Sequence, residues 1–310
     1  MDRATGTEFQ QADGVRDWRV LDAGASAWFG ARSMAAGAAL VRRIAELTAG
    51  TGLPDVDLRP GGLRVRISPA GNLTRDDVEL ARSISMAAQD LGLAADPAVL
   101  QTVRLVIETA DRPSLVSFWQ TVLAYEPAGA GGLRDPSRRD PMLSFHESRP
   151  RPLRDRIHVD VVRAPEAVET ARAAVGQVPF GAYGVRAFWA SVLGYRHDPR
   201  AFLTDLYDPR RLDPVLFFQP MDASDTQRRQ HRNRIHVELF VPYDQARARI
   251  DTAVAAGGRI VTANASDRRT LIDPEGNELD IRWDVVGPAV YTYGMEGLLR
   301  GGGADLSGGE

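Results

Sequence analysis

One eight-residue phrase occurs twice in this chain, and the repetition constrains the fold more than any other feature. Asn233-Arg234-Ile235-His236-Val237-Glu238-Leu239-Phe240 restates Asp155-Arg156-Ile157-His158-Val159-Asp160-Val161-Val162. In each copy the aliphatic residues point one way, while Arg, His and the acid point the other. That two-residue period is a β-strand with one buried and one polar face. A polar face with a histidine two residues before a carboxylate reads as a pocket wall, with His236 and Glu238 as its acid–base candidates. Taken singly, either copy is equally a polar edge strand.

Two more echoes keep the same order. Phe188-Trp189-Ala190-Ser191-Val192-Leu193-Gly194-Tyr195 repeats Phe118-Trp119-Gln120-Thr121-Val122-Leu123-Ala124-Tyr125, and Asp213-Pro214-Val215-Leu216-Phe217-Phe218-Gln219 repeats Asp140-Pro141-Met142-Leu143-Ser144-Phe145-His146. Three echoes, 70 to 78 residues apart, make an internal duplication. The Phe-Trp pairs are read as helix residues facing a core. Asp244 to Ala256 reads as a helix with Ala246, Ile250 and Ala253 inward. Short strands at 259–262 and 269–272, an Asp273-Pro274-Glu275-Gly276-Asn277 turn and an alternating Glu278 to Trp283 follow. The last module therefore runs strand, helix, three strands.

Composition removes some chemistry. The chain has 310 residues, 44% of them hydrophobic, enough for two or three domains with cores of their own. A net charge of −3 argues for neither nucleic acid nor an anionic membrane as partner. No apolar run reaches the roughly 20 residues that span a bilayer, and cytoplasm is the default expectation. With no cysteine, thiolate nucleophiles and thiolate metal sites are excluded; with no lysine among the 38 basic residues, so are Schiff-base and phosphate-loop lysines.

Residues 1–98 read as a separate domain. A polar leader, expected loose, precedes an ordered Trp18 to Phe29. Ser33 caps a helix with Ala36, Leu40, Ile44 and Leu47 inward, Leu63, Val65 and Ile67 alternate as a strand, and Thr74 with Asp77 forms a capping box. Leu53-Pro54-Asp55-Val56-Asp57-Leu58, the strand around Val65, and Leu73-Thr74 through Leu80-Ala81 resemble the pterin-4a-carbinolamine dehydratase family. That resemblance implies a sheet with two helices on one face and general acid/base dehydration of a pterin by three histidines. Gly52 and Leu53 stand where the family has its His-His pair, Ser68-Pro69-Ala70-Gly71-Asn72 holds no third, and no histidine precedes His146. The domain is expected to be inactive, with Asp55 or Asp57 as the alternative acid–base groups.

Residues 99–285 look like the vicinal oxygen chelate (glyoxalase/bleomycin-resistance) superfamily. The Phe-Trp helices, the Arg-Ile-His-Val strands and the closing Asp-Pro-Glu-Gly-Asn-Glu carry the likeness. It implies βαβββ modules paired into a half-open barrel, with metal ligands on the first and last strands of each. First-strand positions are Arg104, His158 and His236; last-strand positions are His146, Gln219 and Asp280. Pairing of the second and third modules would assemble His158, Gln219, His236 and Asp280, a set suited to divalent Zn, Ni, Mn or Fe. Pairing of the first and second would bring in Arg104, whose fixed charge opposes a cation. The join at Gly181 to Ala187 reads as shortened, and 286–310 as a disordered tail.

The expectation is thus an α+β protein: a dehydratase-like α/β sandwich, then glyoxalase-like modules. The cleft would bind or transform a small organic molecule, with or without metal. Pterin dehydration in the first domain, and non-catalytic sequestration of a metabolite or natural product, are the alternatives. An odd number of modules leaves a sheet edge open, so a homodimer is expected.

Overall fold

The computed structural model describes residues 2–22, 24–49, 52–68, 71–149, 157, 159, 186–200, 205–218, 224–262 and 267–283. Its leader is anchored, contrary to the sequence expectation. Thr5 and Glu8 close a capping box on helix α1 (Gly6–Gln11), and Phe9 is fully buried. Backbone hydrogen bonds from Ala4 to Leu73 and from Arg75 to Asp2 hold it as well.

The chain then forms a hairpin, β1 (Trp18–Leu21) and β2 (Gly24–Gly30), helix α2 (Met34–Leu47), a second hairpin, β3 (Asp55–Arg59) and β4 (Gly62–Ile67), and helix α3 (Arg75–Asp90). The sheet order is β1-β2-β4-β3, antiparallel throughout. Alternation sorts its faces. Trp18, Ala27, Phe29, Leu63 and Val65 point into a core shared with Leu40 and Ile44 of α2 and with Val78, Ala81 and Ile84 of α3. Ser33 and the Thr74–Asp77 box cap those helices as the sequence predicts. Leu47, expected inward, is instead largely exposed, because the core contact ends at Ile44. The opposite face carries Arg19, Trp28, Asp55, Asp57, Arg64 and Arg66, and turns toward the rest of the molecule.

After a 3-10 turn at Pro97–Val99 comes a second, larger sheet. Its first half is β5 (Thr102–Thr109), α4 (Arg112–Leu123), β6 (Glu126–Ala128), β7 (Gly132–Arg134) and β8 (Met142–Glu147). The middle segment contributes α5 (Arg186–Leu193), a two-stranded ribbon of β9 (Arg196–His197) and β10 (Leu206–Tyr207), and a short α6 (Thr226–Gln230). The last half is β11 (Ile235–Phe240), α7 (Ala246–Ala255), β12 (Arg259–Thr262), β13 (Arg268–Ile272) and β14 (Glu278–Arg282). Eight strands lie in the order β12-β13-β14-β11-β5-β8-β7-β6.

That order settles how the described modules pair. The first joins the last through antiparallel β5 and β11, with Val237 opposite Leu105 and Glu238 opposite Arg104. Within each half, the first strand runs parallel to the fourth: β5 with β8, and β11 with β14. Among the described strands the first module meets the last, which is neither of the neighbour pairings anticipated from the repeat spacing, since sequence adjacency does not dictate which edges meet. The sheet is open, and its outermost strand β12 leaves Ile260 and Val261 exposed.

Candidate functional site

The convex face of the large sheet is apolar and covered by helices. Val237, Leu239, Leu279 and Ile281 pack against α5 and α7, while Leu143 and Phe145 pack beneath α4. By the period of two, the alternate residues share the concave face: Arg104, Val106 and Glu108 on β5, His236, Glu238 and Phe240 on β11, Ser144 and His146 on β8, Asp280 and Arg282 on β14.

This face is charged and nearly closed to solvent. Arg104 is 2% exposed, Glu238 1% and His236 6%. Glu238 sits between two guanidinium groups, with Arg104 Nη1 donating to Oε2 at 3.4 Å and Arg282 Nη1 to Oε1 at 3.2 Å. The Phe240 ring lies under both arginines, 4.8 Å from Arg104 and 5.5 Å from Arg282. Burial acts to raise the Glu238 pKa, but Arg104, Arg282 and His236 together outweigh it and hold the carboxyl below its ordinary value. Glu238 is therefore an ionised anchor for two arginines and not a proton donor.

At the other end of the cleft Arg232 bridges β5 and β14. Its Nη1 donates to Glu108 at 2.8 Å, while Nε and Nη2 donate to Glu278 at 2.5 and 2.7 Å. Nothing in the polar stretch before β11 reveals by period or motif that this arginine folds back over the strands. Between the two clusters stand His236 and His146, their ring centroids 6.4 Å apart. The pKa of His146 is lowered, chiefly by burial. His236 Nδ1 is buried with no hydrogen-bond partner among the described residues.

The small domain closes one side of this cleft. Asp22, at the turn between β1 and β2, reaches across to Arg104 in a short ion pair. Around it Arg19 pairs with Asp244 at 2.6 Å, and Arg138 with Asp55 at 2.8 Å. Asp57 is held by Arg64 at 2.9 Å, so both proposed acid–base aspartates of the small domain are engaged in ion pairs. A second polar contact lies beside Trp28, where Arg64, Gln101, Asp208, Arg210 and Asp213 line a narrow crevice of about 10 Å³. Asp213 accepts from Gln101 at 3.0 Å, and burial pushes its carboxyl up to about 6 despite Arg64 nearby.

A family model described as a glyoxalase-like domain matches the chain twice, over residues 104–179 and 181–282, together more than half its length. The chain belongs to the glyoxalase-like family. The break between the two matches falls beside the junction that the repeat analysis placed at Gly181 to Ala187. A solved structure of a glyoxalase I mutant from Zea mays is similar over 61% of this chain and 95% of its own, at 12% identity and a TM-score of 0.40. No curated protein matches the chain.

Glyoxalase-like proteins commonly hold a divalent metal on their first and last strands, so the register of these strands is a direct test. His236 corresponds to Arg104 across the local two-fold that relates Val237 to Leu105. The same relation takes Asp280 to Ser144, because Glu238 pairs with Asp280 as Val106 pairs with Ser144. The sequence reading had matched Asp280 with His146, which in fact corresponds to Arg282; the echo in sequence is displaced by two residues from the echo in space. Of the expected ligands, His236 and Asp280 share the concave face on adjacent strands, whereas His158 and Gln219 lie outside the described residues. The described positions are thus Arg104, Ser144, His236 and Asp280. Asp280 already accepts from Thr270 at 2.5 Å, and Glu238 is held between guanidinium groups. Among the described residues no three His, Asp or Glu side chains form a metal-holding group. An arginine at a ligand position and a second two strands away do not fit a divalent cation.

Proposed function

We propose that the concave cleft between the first and last modules binds a small organic molecule by direct side-chain contacts, with no resident metal. The observation that carries this reading is His236. It is almost fully buried on a wall of paired charges, yet its Nδ1 meets no partner among the described residues. A buried polar atom left unsatisfied costs about 1–3 kcal/mol, a cost recovered when a ligand supplies the partner. His236 is then the group that hydrogen-bonds the ligand, and the side chain placed to move a proton if the ligand is also turned over. Glu238 and the two arginines fix the pocket around it.

A thermal-shift screen of small metabolites tests this: a ligand that stabilises the wild type should lose its effect in His236→Ala. If His236→Ala responds to every stabilising ligand as the wild type does, the cleft reading fails. A titration with Zn²⁺, Ni²⁺, Mn²⁺ and Fe²⁺ should show no tight site; binding abolished by His236→Ala and Asp280→Asn would restore the metal-dependent alternative.

The small domain is proposed to serve as a cover and not as a pterin dehydratase. Asp55 and Asp57, its candidates to replace the absent histidines, are tied to arginines. Purified protein should not accelerate dehydration of a 4a-hydroxytetrahydropterin above background. The apolar edge of β12 supports the homodimer as a further proposal, checked by light scattering at tens of micromolar. No helix among the described residues is long and apolar enough to cross a membrane.

A further inference from the structure

Arg104 and Arg282 flank Glu238 in the same way, yet their second acidic partners come from different places. Each takes one oxygen of Glu238. Arg282 has its second acid, Asp267, at 3.4 Å, just before β13 of the same sheet. The second acid of Arg104 is Asp22, which belongs to the other domain and stands 82 residues earlier in the chain. The large sheet therefore sets the buried guanidinium of Arg104 against one oxygen of Glu238, and the small domain adds Asp22. With its face lying over Phe240, Arg104 turns its N–H edge toward Glu238 and Asp22, the geometry that arginine and carboxylate satisfy best.

We infer that this end of the cleft is a binding site for an organic carboxylate, and that Asp22 occupies it as a built-in competitor. The proposal rests on the cleft being the ligand site, and it adds the class of ligand and the means of its control. The Asp22 side chain is 14% exposed against 3% for that of Arg104, so it stands on the solvent side of the pair, where an incoming carboxylate would arrive. Its backbone at φ 57° is left-handed, a conformation Asp and Asn accept more readily than other side chains, so the turn presents the carboxylate without help from a longer loop. Rotation of this one side chain exposes Arg104 while the sheets on either side keep their hydrogen bonds. The ligand carboxylate then takes the Asp22 position on Arg104, with its organic body directed along the cleft toward His236.

The test is calorimetric titration of the full chain with benzoate as the probe, benzamide as its neutral counterpart, and ionic strength held constant. Asp22→Asn keeps the turn and removes the competing charge; it should bind benzoate about tenfold or more tightly than the wild type, a gain of about 1.4 kcal/mol. Asp22→Gly, which also tolerates the positive φ, should show the same gain. Benzamide should show no such difference, and Arg104→Gln in the Asp22→Asn background should abolish benzoate binding. Equal benzoate affinity in wild type and both Asp22 variants overturns the proposal, as does failure of Asp22→Asn and Asp22→Gly to bind it. If carboxylates fail while a neutral molecule stabilises the protein through His236, the competitor idea falls and the cleft reading stands. If neither class binds any of these proteins, both fall.

Discussion

The Phe-Trp pair of α4 and the Phe-Trp pair of α5 are the same dipeptide in the same short motif, yet they have different environments. Phe188 and Trp189 are 1% and 4% exposed; Phe118 and Trp119 are half-buried. Both pairs stack edge to face at nearly equal distance, 5.2 Å in α4 and 5.4 Å in α5. The helices differ in their surroundings. Helix α5 lies beside α7 over the last half of the sheet, joining one core with Val237, Leu239, Leu271, Leu279 and Ile281. Its fit is close enough that a Cβ on Gly258 would come within 2.4 Å of the Phe188 ring. Helix α4 covers the first half with Leu123 as its one fully buried residue. The duplicated motif therefore specifies a helix with an aromatic face, and the number of neighbouring elements decides how deep that face is buried.

The sharpest way to break this comparison is to truncate both aromatics. Phe188→Ala should cost about 3–5 kcal/mol of stability, as for a fully buried phenylalanine, whereas Phe118→Ala should cost well under half of that. Equal losses in denaturant titrations would show that the motif, not its surroundings, sets the burial.

On the concave side the two halves also differ, since β11 offers Glu238 where the two-fold places Val106 on β5. Glu238→Gln leaves two buried arginines without their shared charge and should cost about 3 kcal/mol near neutral pH. Because the folded-state pKa of Glu238 lies below the ordinary 4.5, its contribution is present above that value and is lost as pH falls through the folded pKa. The acid limb of the stability profile should accordingly flatten in the variant. An unchanged acid limb would show that the arginines do not depend on Glu238.

A smaller effect separates α5 from α4 again. Trp189 Nε1 donates to Asp273 at 3.0 Å, while Trp119 Nε1 is buried with no partner among the described residues. Trp189→Phe should lose about 1 kcal/mol beyond its packing change, and Trp119→Phe should lose no hydrogen bond. A second pH effect is expected at the domain junction. Asp213 titrates at about 6 in the folded protein against an ordinary 3.8, so it favours folding most below 3.8, and that contribution is lost as pH rises through about 6. Asp213→Asn should remove this decline from a plot of melting temperature against pH; a decline retained in the variant assigns it to another group.

Much of the fold was legible in local patterns. Ser33, and Thr74 with Asp77, each cap the helix their sequence context predicts. The alternation at Ile235 to Phe240 and Glu278 to Arg282 yields the strands β11 and β14 with the expected faces. These signals are short-range: a cap needs three residues and an alternating strand five or six. The burial of Phe9 was not legible, because a lone aromatic in a polar stretch has no period to read.

The candidate site divides along the same line. Period alone put His236 and Glu238 on one polar face of a strand and Asp280 on the polar face of another; the resemblance brought those strands together, and the structure pairs them. What the sequence by itself determined is which side chains share a face, since that follows from the pleat of each strand. Which strands became neighbours was decided only by tertiary structure. Pairing β5 with β11 brought Arg104 against Glu238, moved the counterpart of Asp280 from His146 to Ser144, and let Asp22 reach in from another domain. These contacts span 82 and 134 residues, and over such separations the choice of partner comes from burying complementary edges and charges together, which no local period encodes.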